Sequence, residues 1–156
     1  MTDLPIYTAA DIDPTGLDVP SFENDDAVAL GLEAIAAIQA AGKNLAVRIL
    51  LRGDVVFVAK LGTTGPGNDP WLAGKAAVVE RFGEPSLRVR RTHEEAGTPF
   101  EERDDVDHDV LKAHGGSLPI RVAGELVGTI TMSGEPDVID HQVVSDAVAR
   151  YLAQRG

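Results

Sequence analysis

The stretch from His114 to Asp140 constrains this chain more tightly than any other segment. His114-Gly115-Gly116 makes a small-residue turn, and two apolar-rich runs, 117–122 and 125–132, follow it. They meet at Ala123-Gly124, a dipeptide suited to a tight hairpin. In the second run Leu126, Gly128, Ile130 and Met132 share one face, while Val127, Thr129 and Thr131 share the other. Gly128 inside that strand marks a place where backbone or ligand comes close. After Ser133-Gly134 and Pro136 the pattern changes to that of a helix over 137–153, with Ile139, Val143 or Val144, Val148 and Tyr151 or Leu152 on its buried side.

Upstream, Asn24, Asp25 and Asp26 suit a helix start, because exposed amides and the helix dipole favour side-chain oxygens and negative charge there. Gly42 ends that helix. It carries two apolar stripes, Val28, Leu32, Ile35 and Ile38 on one side and the smaller Ala27, Leu30, Ala34, Ala37 and Ala41 on the other. Two stripes imply two packing partners, the second being another helix or another subunit. Strands are expected over 45–51 and 55–59 around Gly53-Asp54, and this turn chemistry accounts for the Arg52-Gly53-Asp54 tripeptide. A loop over 61–70 leads to a helix from near Trp71 to near Gly83. The order helix, hairpin, helices, hairpin, helix predicts an α+β layer arrangement with an antiparallel sheet. Residues 1–20, with Pro5, Pro14, Pro20 and no periodicity, read as an extended arm before a single domain over 21–156.

Composition narrows the chemistry. The chain has 156 residues and no cysteine, which removes disulfides, thiolate metal sites and cysteine nucleophiles. Twenty-five acids against 14 bases give a formal charge of −11, which opposes approach to a phosphate backbone, and few aromatic residues are available for base stacking. Nucleic acid is therefore not an expected partner. No apolar run approaches the ~20 residues that span a bilayer, and the start lacks the basic and apolar regions of a signal peptide. A cytoplasmic protein with no membrane contact is the expectation.

Three features remain as candidate chemistry. The glycine-rich loop Gly65–Trp71 before a helix can present backbone amides to an anion, although neither a Walker lysine nor a dinucleotide glycine pattern is present. Lys75, Arg81, Arg88, Arg90 and Arg91 gather five of the 14 bases within 17 residues. These bases either pair with the acids of 94–109 or converge on a carboxylate ligand. His114 beside two glycines and His141 beside Asp140 offer imidazoles for iron ligation or acid/base work, or else are ordinary turn and helix-start residues. His108 among Asp104, Asp105, Asp107 and Asp109 lacks the spacing of a hard-cation loop, so no metal site is expected there. Ser133, Asp140 and His141 lack a nucleophile elbow, and adjacent helix residues diverge.

Taken in order, Ser21-Phe22, Asp26-Ala27, Leu30-Gly31, Asn68, Trp71, Lys75, Arg81-Phe82-Gly83, Ser86, His114-Gly115-Gly116-Ser117, Ser133-Gly134 and Asp140-His141 resemble the UPF0303 family. That family lies in the haem-degrading or haem-binding group with the GlcG-like proteins and the C-terminal domains of some cobalamin adenosyltransferases. The resemblance covers about residues 21–152. It implies a profilin-like α+β fold, a central antiparallel sheet flanked by helices, and homo-oligomers built from dimers. It also implies a site for haem or another small anionic ligand, drawn from Asn68, Trp71, Lys75, Arg81, Arg88, His114, Gly115, Gly116, Ser117 and His141. The alternative is an oligomeric scaffold or adaptor without catalytic activity.

Overall fold

A computed structural model describes residues 4–155. The first helix, α1 (Asn24–Ala41), has the bounds that its acidic start and Gly42 set. The Asp26 carboxylate accepts the Glu23 amide proton at 2.8 Å, and Gly42 closes the helix in the left-handed conformation. Strands β2 (Ala46–Leu51) and β3 (Asp54–Lys60) follow, then α2 (Asp69–Phe82) and α3 (Ser86–Glu95). The second hairpin comprises β4 (Ser117–Val122) and β5 (Glu125–Ser133), and α4 (Asp137–Arg155) closes the chain. Both hairpins turn on two residues with positive φ, Arg52-Gly53 and Ala123-Gly124. The first turn thus sits one residue earlier than Gly53-Asp54, and Asp54 opens β3 instead.

The expected antiparallel sheet forms from β4, β5, β2 and β3, and a further strand makes it mixed. Strand β1 (Leu17–Val19) pairs in parallel with β4, giving the order β1-β4-β5-β2-β3. Leu17 and Val19 are buried and Asp18 is exposed, so the extended N-terminal segment contributes an edge strand to the core. Three residues are too few to show a period-2 pattern in sequence, which is why this strand was silent there.

Helices α1 and α4 cover one sheet face. Val47, Ile49, Leu118, Ile120, Ile130 and Met132 meet Leu30, Ala34, Ile38, Val144 and Ala147 there in the main core. Of the two stripes on α1, the smaller one packs, because Ala27, Ala34 and Ala37 let the helix approach both the sheet and α4. The larger stripe is split: Ile38 is buried, and Val28 and Leu32 are exposed. Gly31 lies against the Phe57 ring, where a Cβ would clash. Gly128 lies against the Leu50 carbonyl, so its role is backbone approach. The opposite sheet face carries Ser117 and Thr131, whose hydroxyls hydrogen-bond at 2.8 Å beneath α2 and α3. Val78, Val89, Phe100 and Leu111 form a second core beyond them.

The acidic segment 84–109 is a solvated helix and loop laced by its own arginines. Arg90 pairs with Glu94 and Glu101, Arg91 with Glu94, and Arg103 with Asp105. No helix among the described residues is long and apolar enough to cross a membrane.

Candidate functional site

The N-termini of α2 and α4, the end of β5 and the glycine turn before β4 enclose a cavity of about 330 Å³. Each element delivers its side chain for a local reason. The 3-10 turn Pro66–Asn68 places Asn68 at the head of α2, where its Oδ1 accepts the Gly65 amide proton and its Nδ2 donates to Ser133 Oγ. One turn apart on α2, Trp71 reaches the mouth and Lys75 the floor. Trp71 is 39% exposed, and its ring meets the His114 imidazole edge-on at 5.1 Å. Lys112 holds its ammonium 4.8 Å from the centre of the same indole.

Lys75 and Asp140 form a buried ion pair, with 2.7 Å between Nζ and Oδ2 and side-chain exposures of 3% and 2%. Lys75 also donates to the Met132 carbonyl at 3.0 Å, and Asp140 Oδ1 accepts the Glu135 amide proton at 3.0 Å. Burial pushes Asp140 up to about 6 and Lys75 below its ordinary value, while each partner's charge pulls the other back. The pair ties α2 to β5 and α4.

Close packing explains the two glycines, at Gly116 against this pair and at Gly115 against the start of α4. A Cβ on Gly116, which has φ +132°, would strike the Met132 carbonyl and lie 3.0 Å from Asp140 Cβ and 3.1 Å from Lys75 Nζ. A Cβ on Gly115 would lie 2.5 Å from the Asp137 carbonyl oxygen. Gly116→Ala therefore costs about 2–4 kcal/mol, as steric strain at a left-handed position in a buried network does. Urea unfolding that shifts by less than about 1 kcal/mol contradicts this reading.

His114 is half-buried at the rim. Burial holds its pKa below the usual histidine value, with Arg90 adding to the effect, so the ring is neutral at pH 7. Its Nδ1 lies 4.0 Å from Asp137 Oδ2, and that carboxylate also accepts the Gly115 amide proton.

Asn68, Trp71, Lys75 and His114 therefore come together, with Gly115 and Gly116 behind them. Ser117 is buried deeper, and its amide donates to Ser86 Oγ. Of the two readings of the basic cluster, convergence of Lys75, Arg81 and Arg88 on one anion does not occur, because each side chain is engaged elsewhere. Lys75 is held by Asp140; Arg88 pairs with Glu84 and donates to the Ile12 carbonyl; exposed Arg81 lies over the Phe82 ring. His141 is not in this cavity. It lines a separate notch beside Tyr7. Ser133, Gly134, Glu135, Asp137 and Asp140 also line the cavity; none was a candidate ligand residue in sequence, although the strand end and helix start that carry them were legible.

Layers of this kind, a mixed sheet between helix pairs, define an α+β class with several solved members. Ybr137w protein superposes with a TM-score of 0.77 at 24% identity, covering 86% of this chain and 80% of that one. HbpS superposes with a TM-score of 0.68 at 18% identity, covering 83% and 89%. PduOC, solved as a heme complex, gives 0.69 at 17%, covering 83% and 94%. Sequence goes further than fold. A UPF0303 protein of Streptomyces coelicolor is 41% identical over 134 residues, 85% of each chain. Another, of Burkholderia ambifaria, is 33% identical over 136 residues, 86% of this chain and 82% of that one. Residues 22–149 match the family described as haem degrading protein, HbpS-like, and the chain belongs to that family.

Proposed function

We propose that this chain binds haem at the cavity between Trp71 and His114. The observation that carries the reading is a half-buried imidazole set edge-on to the single tryptophan at the mouth of a cavity, where burial disfavours its charged form. A neutral imidazole is an iron ligand, and an indole face is a wall for a flat ring. With cysteine absent, no thiolate competes for the iron. Lys112 lies over the Trp71 ring and donates to the His108 carbonyl at 3.3 Å, outside the cavity lining. Two lining residues suit haem: His114 would hold the iron and Trp71 would flank the ring. Haem would supply a redox-active iron at the cavity mouth. The protein residues hold the ring, keep the imidazole neutral and form the polar floor.

The cavity's charge tempers the broader expectation of a small anion. Glu135, Asp137 and Asp140 face the single lysine, so the site favours a ligand that brings apolar surface and coordination rather than charge alone. Haem titration followed by absorbance and by Trp71 fluorescence tests the reading. The expected result is a saturable, shifted Soret band with quenching at one equivalent. A spectrum matching that of an unrelated protein of similar charge overturns it.

Exposed Val28 and Leu32 on α1 and Val55 and Val58 on edge strand β3 support self-association, the dimer or higher homo-oligomer that the family resemblance implies. The cytoplasmic assignment remains part of the same proposal.

A further inference from the structure

We propose that the notch between the N-terminal segment and α4 is a second ligand site, which takes a small organic cation: a protonated amine or amidine on an apolar body. The notch encloses about 300 Å³, and Tyr7, Asp11, Asp13, Leu118, His141 and Val148 line it. It lies apart from the Trp71 cavity and shares no lining residue with it. Its outer wall lies before residue 22, where the family match begins.

That wall is held firmly in place. Arg91 Nε donates to the Tyr7 carbonyl at 3.0 Å, Arg88 Nε donates to the Ile12 carbonyl at 3.1 Å, and the Ala9 amide donates to Glu95 at 2.8 Å. These arginines also pair with Glu84 and Glu94, although the Arg91 charge still helps to hold the His141 imidazole neutral.

Within the notch every free polar function is an acceptor or a neutral group. His141 is 5% exposed, and its Nδ1 is buried without a hydrogen-bond partner. Orphaned buried polar atoms are rare in folded proteins, which sets this imidazole apart within the lining. Desolvation lowers the imidazole's pKa to about 4, which leaves a lone pair available at neutral pH. Asp11 and Asp13 supply the only formal charges in the lining, and backbone bonds from Thr8 and Thr15 orient them. Ile12, Leu118 and Val148 form an apolar wall, and the Tyr7 ring stands edge-on to His141 at 4.9 Å. Acceptors and anions on one side with an apolar wall on the other select a cationic donor attached to a hydrophobic body. A metal ion is not the match: among the described residues no three carboxylates or imidazoles converge to hold one.

Calorimetric titration of the full chain at pH 7.5 with 2-phenylethylamine, 2-phenylethanol and phenylacetate separates charge from shape. The expected result is a saturable isotherm for the amine alone. Asp13→Asn, which keeps the oxygen that accepts from Thr15, should weaken it about tenfold, the effect of losing one charge-assisted contact. His141→Phe should abolish it. Equal binding of the three probes, binding of none, or amine binding that Asp13→Asn leaves intact overturns the proposal. Haem titration of Asp13→Asn should match that of the parent, so the two sites stand or fall separately.

Discussion

Replacing Lys75 by Met will destabilise the protein by about 3–5 kcal/mol at pH 8, because it strands a buried carboxylate without its counter-ion. In the parent, Asp140 titrates at about 6, above the roughly 3.9 of an unfolded aspartate, because burial disfavours its charge. Removing the ammonium raises that value further, and at pH 8 the folded variant must either bury an unpaired charge or take up a proton. The folded state then binds more protons than the unfolded state between the two values, so stability falls as pH rises through that window. The deficit should accordingly shrink between pH 8 and pH 5. Urea unfolding at both pH values measures it; a deficit below about 1 kcal/mol, or one that grows towards pH 5, contradicts the assignment of this pair.

The second large effect concerns the imidazoles. His114→Ala should weaken haem binding at least about tenfold and abolish the shifted Soret band, since it removes the one imidazole at the cavity mouth, the proposed iron ligand. His141→Ala, with its side chain in the other notch, should leave that band in place. Asp140 and His141 are neighbours in sequence, yet successive helix residues point about 100° apart. Asp140 therefore enters the Trp71 cavity while His141 faces the N-terminal segment. Titration of the two variants, each checked for fold by circular dichroism, decides the matter. Loss of the band in His141→Ala alone would move the ligand to the notch.

The elements with long periods were legible. The helix from Asn24 to Ala41, the Ala123-Gly124 hairpin and the final helix start emerge from capping residues, glycine turns and apolar spacing. Asn68, Trp71, Lys75 and His114 were grouped by the family resemblance rather than by local pattern, and all four line one cavity. What pairs at long range was not legible. Asp140 lies 65 positions from Lys75, and nothing local announces their bond. The arginine cluster left two readings open, pairing with nearby acids or convergence on a ligand, because sequence shows proximity along the chain but not direction. On α3, Arg90 and Arg91 turn towards Glu94, and Arg88 towards Glu84 and Ile12. The parallel strand β1 was hidden by its shortness, and its pairing partner lies about a hundred residues away.

The central claim is that the Trp71–His114 cavity receives the haem, and paramagnetic broadening by iron(III) protoporphyrin in a proton–nitrogen NMR spectrum tests it most directly. The account predicts that substoichiometric haem first erases the Trp71 indole signal and the amide signals of Asn68, His114 and Gly134, while those of Gly16 and Ser145 persist. Early loss at Gly16 and Ser145 with the Trp71 indole intact, or uniform broadening across the chain, would contradict it.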